Sequence, residues 1–432
     1  MPDMKNSEIQ WIGEIPTNWN LMRLQFCLKE VNVKNNPIQT TQVLSLMKDI
    51  GVLPYEEKGD IGNKAKENVS EYHLAYPNTI VLNCMNILIG SVGISNYFGC
   101  VSPVYYVFKE TDKCDLRFIN YIFNTREFQK ELRKYAKGIL EIRLRVSADD
   151  IFKRKVPLPS KEEQIRIADF LDTQCSEIES LIANIQSQID TLEEYKKSII
   201  RETVTKGLNP SARMKNSGLA FIGNTPEHWE IKRTKYLATS LSKGNGITKE
   251  QVFEDGDIQC VRYGEIYSKY EQSFDNTISL TKLKQISSPK FIHHGDILFA
   301  GTGELVEEIG KNIVYMGKEP CLAGGDIVVL KHTQNPRFLN YALNSTYSQE
   351  QKSKGKAKLK VVHISATDIG NVLITIPPID EQNEIADFLD KTCDEINLSI
   401  ADKKSQLEIL ADYKKSLIYE YVTGKKQVKE NA

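Results

Sequence analysis

Two long stretches of the chain carry apolar side chains at alternating steps of four and three. Leu171, Cys175, Ile178, Ile182, Ile185, Ile189, Leu192, Lys196 and Ile199 fall in that rhythm, and Leu389, Cys393, Ile396, Ile400, Lys403, Leu407, Leu410, Lys414 and Leu417 repeat it. Steps averaging three and a half residues keep one helical stripe facing a partner, so each stretch predicts a long helix with a coiled-coil seam. No glycine or proline interrupts the first run before Gly207 or the second before Gly424. Ser160 followed by Glu163 predicts a capping box at the first helix, and Asp380 a cap at the second. Seams of matching length and register favour pairing of the two helices over separate packing of each on its own domain.

Elsewhere the pattern is mixed. Apolar, β-branched runs at 79–82, 101–108, 296–299 and 326–330 predict strands, and 117–136 and 337–351 predict helices. The 207–218 stretch, rich in Gly, Asn, Pro and Ser, reads as a linker. The expected fold class is α/β (α+β), with globular parts separated by two long helices.

Laid over itself, the chain repeats at offsets of about 210 to 220 residues. M-K-N-S at 4–7 returns at 214–217, and W-I-G-E-I-P-T-N-W at 11–19 returns as F-I-G-N-T-P-E-H-W at 221–229. R-F-I-N-Y at 117–121 returns as R-F-L-N-Y at 337–341. E-Q and I-A-D-F-L-D at 163–172 return at 381–390, and Y-K-K-S-I-I at 195–200 returns as Y-K-K-S-L-I at 413–418. The middles, 30–115 and 240–335, scarcely match. An architecture kept while its central surface varies predicts two modules doing one kind of job on different targets.

Charge sharpens this. The net charge of −1 at first argues against a polyanionic partner, but it hides an asymmetry: residues 161–206 carry −4 and 380–424 carry −6, leaving about +9 on the globular parts. Ten Lys and Arg lie between Arg126 and Lys155, against five acids. In the second copy Lys352, Lys354, Lys356, Lys358 and Lys360 alternate with residues that are not acidic. Basic clusters recurring ahead of both helices suit phosphate contacts, each of which releases condensed counterions. The candidate DNA contacts are Lys137, Arg143, Arg145, Lys354, Lys356, Lys358 and Lys360, with an Arg able to reach guanine and Arg262–Tyr263 as a base-reading or stacking pair.

The remaining chemistry is mostly absent. The chain has 432 residues, 41% apolar and 26% charged, which excludes a disordered protein and allows two or three domains. The longest apolar stretch, 79–93, is broken by Asn83 and Asn86, and Asp3, Asn6 and Glu8 stand where a leader would begin; a soluble, cytoplasmic protein without a membrane partner is expected. Eight cysteines without a C-x-x-C pair predict reduced core thiols, and six scattered histidines predict no metal site. F-A-G-T-G at 299–303 matches the F-x-G-x-G letters of a methyltransferase cofactor loop, but neither N-P-S-A at 209–212 nor I-P-P-I at 376–379 supplies the [DNS]-P-P-[YFW] loop such an enzyme also needs. A turn after a strand explains the glycines. No phosphate-binding G-x-x-x-x-G-K-[ST] loop is present.

These motifs resemble the specificity (S) subunits of type I restriction–modification systems, the HsdS family. The likeness rests on the W-I-G-E-I-P-x-x-W opening and its repeat, on P-L-P-x-x-E-E-Q-x-x-I-A-D-F-L-D and P-P-x-x-E-Q-x-x-I-A-D-F-L-D leading into heptads, and on the Y-K-K-S-[IL]-I ends. It implies target recognition domains at 1–155 and 209–375 (the latter with its linker), each reading half of a bipartite double-stranded DNA target, and spacer helices at 156–208 and 376–432 pairing antiparallel. It implies a non-catalytic chain without a cofactor of its own, joined by two methyltransferase subunits that bind S-adenosylmethionine and by restriction subunits that use ATP and magnesium. About 40 helical residues make a rod of roughly 60 Å, somewhat under two turns of B-DNA. The outer helix faces, acidic and mixed, are the expected docking surface for the methyltransferase. Rival readings are a self-sufficient methyltransferase or nuclease, and an adaptor that binds only protein; the basic globular parts argue against the adaptor.

Overall fold

The computed structural model describes residues 3–48, 50–59, 68–138, 144–356 and 361–428. The chain divides into two compact units, Met1–Gln186 with Lys404–Ala432, and Ser187–Lys403. Each unit thus takes part of each long helix.

In the first unit a four-stranded antiparallel sheet runs in the order Leu28–Glu30, Tyr105–Glu110, Thr79–Asn83, Val92–Ser95. The expected strand at 101–108 is two: Gly99–Val101 pairs with His73–Ala75, and Pro103, which has no N–H to donate, lies in the break before Tyr105–Glu110. Helix α1 (Leu116–Phe123) and helix α2 (Arg126–Arg133) replace the single helix expected over 117–136. Thr125 makes the break: its hydroxyl donates to Ile122 O at 2.8 Å and accepts from Phe128 N at 3.3 Å, so it ends one helix and caps the next. After α3 (Ala148–Phe152), strand Lys155–Leu158 pairs with Asn20–Arg23 and leads into α4 (Lys161–Lys206).

The second unit opens and closes the same way but differs in the middle. Ile258–Val261 joins a four-stranded sheet through a parallel pair with Cys321–Ala323 and leads to α5 (Tyr263–Ser268). A five-stranded sheet runs Ala238–Lys243, Ile327–His332, Ile297–Ala300, Asn312–Tyr315, Ser273–Phe274. Helix α6 (Pro336–Asn344) and helix α7 (Thr346–Ser353) again replace one expected helix, broken at Ser345, whose hydroxyl bonds Ala342 O at 2.6 Å. Then come α8 (Ala366–Asn371), strand Leu373–Ile376 paired with Glu230–Arg233, and α9 (Ile379–Val422).

The helix starts depart from expectation. Ser160 accepts from Glu163 N at 3.2 Å, but the Glu163 carboxylate, rather than closing the box, accepts the Trp19 indole N–H at 3.1 Å. Asp380 lies inside the first turn of α9, where its charge favours the helix dipole without capping it.

Within each unit the long helices pack against each other in opposite directions. In the first, Leu171, Cys175 and Ile178 share a core with Leu417, Ile418 and Val422, with Ile182 and Leu410 at its edge, and the Phe170 and Tyr421 rings lie 4.5 Å apart. Lys414 donates to Glu179 at 2.6 Å. In the second, Ile189, Leu389, Cys393, Ile396 and Ile400 are buried, Lys196 donates to Asn397 at 2.6 Å, and Lys403 bonds Gln188. Ile185, Leu192 and Leu407 are half-buried. A lysine at a seam position specifies register at some cost in stability.

All eight cysteines are buried and unbridged. Among the described residues no group of His, Cys, Asp and Glu is placed to hold a metal, and no helix is long and apolar enough to cross a membrane.

Candidate nucleic-acid interface

The repeated letters converge on one joint per unit, where the globular part meets the start of its long helix. In the first unit Arg117 on α1 reaches Asp169 at 2.7 Å and Asp172 at 2.8 Å on α4, and the Tyr121 hydroxyl donates to Asp172 at 2.6 Å. Gln164 accepts from Asp115 N at 2.9 Å and donates to Lys113 O at 3.2 Å and Pro159 O at 3.0 Å. The second unit repeats the main bonds: Arg337 to Asp387 at 2.7 Å and Asp390 at 2.5 Å, Tyr341 to Asp390 at 2.8 Å, Trp229 Nε1 to Glu381 at 2.9 Å, and Asn335 N to Gln382 at 3.0 Å, although Gln382 donates to the Gln334 side chain where Gln164 donates to a backbone oxygen. Burial works against the Arg117 charge, but the two aspartates outweigh it and hold its pKa above the ordinary value. Burial, with the Asp172 carboxylate beside it, pushes the Tyr121 phenol up.

The W-I-G and F-I-G motifs serve the other ends of the helices. Tyr419 donates to Trp11 O at 3.0 Å and Arg201 to Phe221 O at 3.0 Å. Gly424 and Gly207 end the helices at φ of +72° and +75°, where a side chain would also press on Trp19 and Trp229, both fully buried.

The basic residues lie at equivalent places in chain order, between α2 and α3 in the first unit and between α7 and α8 in the second. In the first unit Lys137 and Arg145 are exposed and pair across an antiparallel bridge, with two backbone bonds of 2.8 Å. Arg154, close by in sequence, is not free: its guanidinium lies 3.4 Å from the centre of the Tyr135 ring and bonds Asp150 O. Arg143, Lys358 and Lys360 lie outside the described residues. In the second unit Lys354 is exposed, whereas Lys356 bonds Asp368 at 3.0 Å and His363 O at 2.9 Å.

Lys352 does not belong with them. It is buried, over the Phe299 ring, and donates to Gly310 O at 2.8 Å and Leu343 O at 2.9 Å, and burial lowers its pKa to about 7. Alternation along the sequence suggested five equivalent lysines, but α7 runs to Ser353 and turns position 352 inward. Arg262 is also committed, its fork bonding the buried Glu265 at 3.1 and 3.2 Å; Tyr263 beside it stays partly exposed.

The F-A-G-T-G letters are structural. Ile297–Ala300 is a strand; a Cβ on Gly301 would lie 2.7 Å from Asp326 O, and one on Gly303 would lie 2.8 Å from the Tyr267 hydroxyl. These close approaches account for glycine at both positions without a cofactor.

A family model described as "Type I restriction modification DNA specificity domain" matches residues 23–191 and 226–408, most of the chain and both of its repeats. The chain belongs to that family. It is a type I specificity subunit, a non-catalytic DNA-recognition component. Two curated relatives from Methanocaldococcus jannaschii are the type I restriction enzyme MjaVIII specificity subunit, 24% identical over 96% of this chain and 94% of the relative, and the putative type I restriction enzyme MjaX specificity subunit, 26% identical over 97% and 96%. Among solved structures, a chain from a study of complex assembly and conformational transition of the type I R-M system superposes with a TM-score of 0.72 over 95% of this specificity subunit and 99% of that chain, at 14% identity. The HsdS subunit from Thermoanaerobacter tengcongensis gives 0.52 over 95% and 98%, at 15% identity. These likenesses show a shared fold.

Proposed function

We propose that this subunit directs a type I restriction–modification complex in the cytoplasm to a bipartite double-stranded DNA target. Residues 1–155 and 209–375 each read one half-site, and the helices of 156–208 and 376–432 set the gap between them. One observation carries the reading: two copies of one joint, with the same Trp, Gln, Arg, Tyr and Asp pairings, hold two globular parts whose central sheets differ. Matching joints with different middles suit one mechanical task performed on two base sequences.

Lys137, Arg145 and Lys354 are assigned to phosphates, which position the protein without reading sequence. Tyr263 is assigned to a base or sugar face. The outer faces of the helices receive two methyltransferase subunits, which bring S-adenosylmethionine and modify adenine; restriction subunits bring ATP and magnesium. The chain supplies recognition and the partners supply chemistry. The alternative, a self-sufficient methyltransferase, loses its support with the packed glycines of 301 and 303.

Co-expression with a type I methyltransferase subunit, followed by genome-wide mapping of methylated adenines, tests the reading. Two short, unrelated half-sites at one fixed gap are expected. A continuous target, or methylation by the isolated chain, would overturn it.

A further inference from the structure

The joints use more than apolar burial. Packing an amphipathic helix onto a domain needs only an apolar face, and the buried Ile167, Ala168 and Leu171 already provide one. Around that face stands a ring of directional bonds. Glu163 takes the Trp19 indole, Gln164 meets the start of α1, and Asp169 and Asp172 take Arg117 and Tyr121. These grips span ten residues of α4, about 13.5 Å along its axis at 1.5 Å per step.

Exposure decides what the ion pairs are for. Asp169 and Asp387 keep 61% and 69% of their side-chain surface, and Arg117 and Arg337 keep 37% and 35%. Pairs this wet contribute little to stability. Arg337 bonds its two carboxylates through Nη1 and Nη2, and Arg117 bonds both through Nη1. A planar guanidinium shared between two carboxylates about one turn apart is nevertheless strict about angle. It opposes the slide or roll that apolar ridges alone would permit. The same five roles (Trp, Gln, Arg, Tyr and the Asp pair) recur in the second unit, whereas the sheets between them do not.

We propose that Arg117 with Asp169, Asp172 and Tyr121, and Arg337 with Asp387, Asp390 and Tyr341, are positioning residues. They fix the angle between each globular part and its helix, and so the spacer length and rotational phase that the subunit accepts. This rests on the spacing reading given above. One base pair shifts the second half-site by about 3.4 Å and turns it by roughly 34°, so a joint loosened by a few ångströms admits neighbouring spacers.

The test uses the full chain assembled with its methyltransferase, on duplexes with constant half-sites and spacers changed one base pair at a time. The wild type should methylate one spacer length. Arg117→Ala and Arg337→Ala should each narrow the preference for that length over its neighbours about tenfold, with unchanged half-site bases. Arg117→Lys, which keeps one charged bond, should restore part of it. Tyr121→Phe, which removes a single hydroxyl, reads the same effect should the alanine variants melt early.

A folded Arg117→Ala or Tyr121→Phe subunit with the wild-type spacer profile overturns the proposal and leaves the spacing reading standing. A wild type indifferent to spacer length overturns the spacing reading, and this proposal with it.

Discussion

At the scale of single residues, Lys352 and Lys354 show how two steps along a chain separate two kinds of chemistry. Lys354 lies past the end of α7 with its ammonium in water. Lys352, one helical face away, is held among carbonyl oxygens with a pKa near 7. Because its pKa in the fold is lowered, the unfolded chain binds more protons between about pH 7 and the ordinary lysine value near 10.5. Stability should therefore rise with pH across that window, by at most about 1.4 kcal/mol per pH unit, and be insensitive to this group below it. Lys352→Met deprives the Gly310 and Leu343 carbonyls of their donor and should be less stable at every pH. The gap between wild type and variant should widen from pH 7.5 to 9.5. Thermal melts of the two proteins across that range check the sign, and a constant gap would mean that Lys352 stays charged in the fold. No reading of composition separates these lysines, since both belong to one basic run.

At the scale of elements, the repeated basic segment after α2 and α7 has a measurable signature. Each phosphate left without its cation should lower the slope of log affinity against log salt by about 0.9. Lys354→Ala and Lys137→Ala should each flatten that slope by about this much and weaken binding to all sequences alike. Lys356→Ala should instead disturb the Asp368 bond at the start of α8 and leave the slope near wild type. Titrating duplex binding between low and moderate salt separates the two outcomes. The elements themselves were partly legible beforehand. The long helices follow from their heptads, and the strands at 79–82, 296–299 and 326–330 lie close to the observed ones. The short helices read as single because Thr125 and Ser345 sit inside apolar periodicity. A hydroxyl breaks a helix only when it finds a backbone partner, which periodicity does not register.

At the scale of the whole molecule, the proposed ruler predicts a change of gap without a change of letters. Removing one heptad from 171–199, with its partner heptad from 389–417, shortens each helix by about 10 Å. The methylated target should then lose about three base pairs of spacer at 3.4 Å each, or binding should fail altogether, while the half-site bases persist. Mapping methylated adenines in cells that carry the shortened subunit reads both features. A change of half-site bases would separate spacing from the helices.

The sequence by itself determined the duplication, the two heptad helices and the family, because these depend on order and period along one dimension. It also marked Arg117, Tyr121, Asp169 and Asp172 as repeated without saying why. Only the tertiary structure decided that they meet, since residues about fifty apart in sequence become partners solely when α1 is laid against α4. It likewise decided which lysines face water, which is a matter of the direction a side chain takes in three dimensions. Pattern fixes what a helix can bury; the neighbours that fold against it fix what each polar group on it is for.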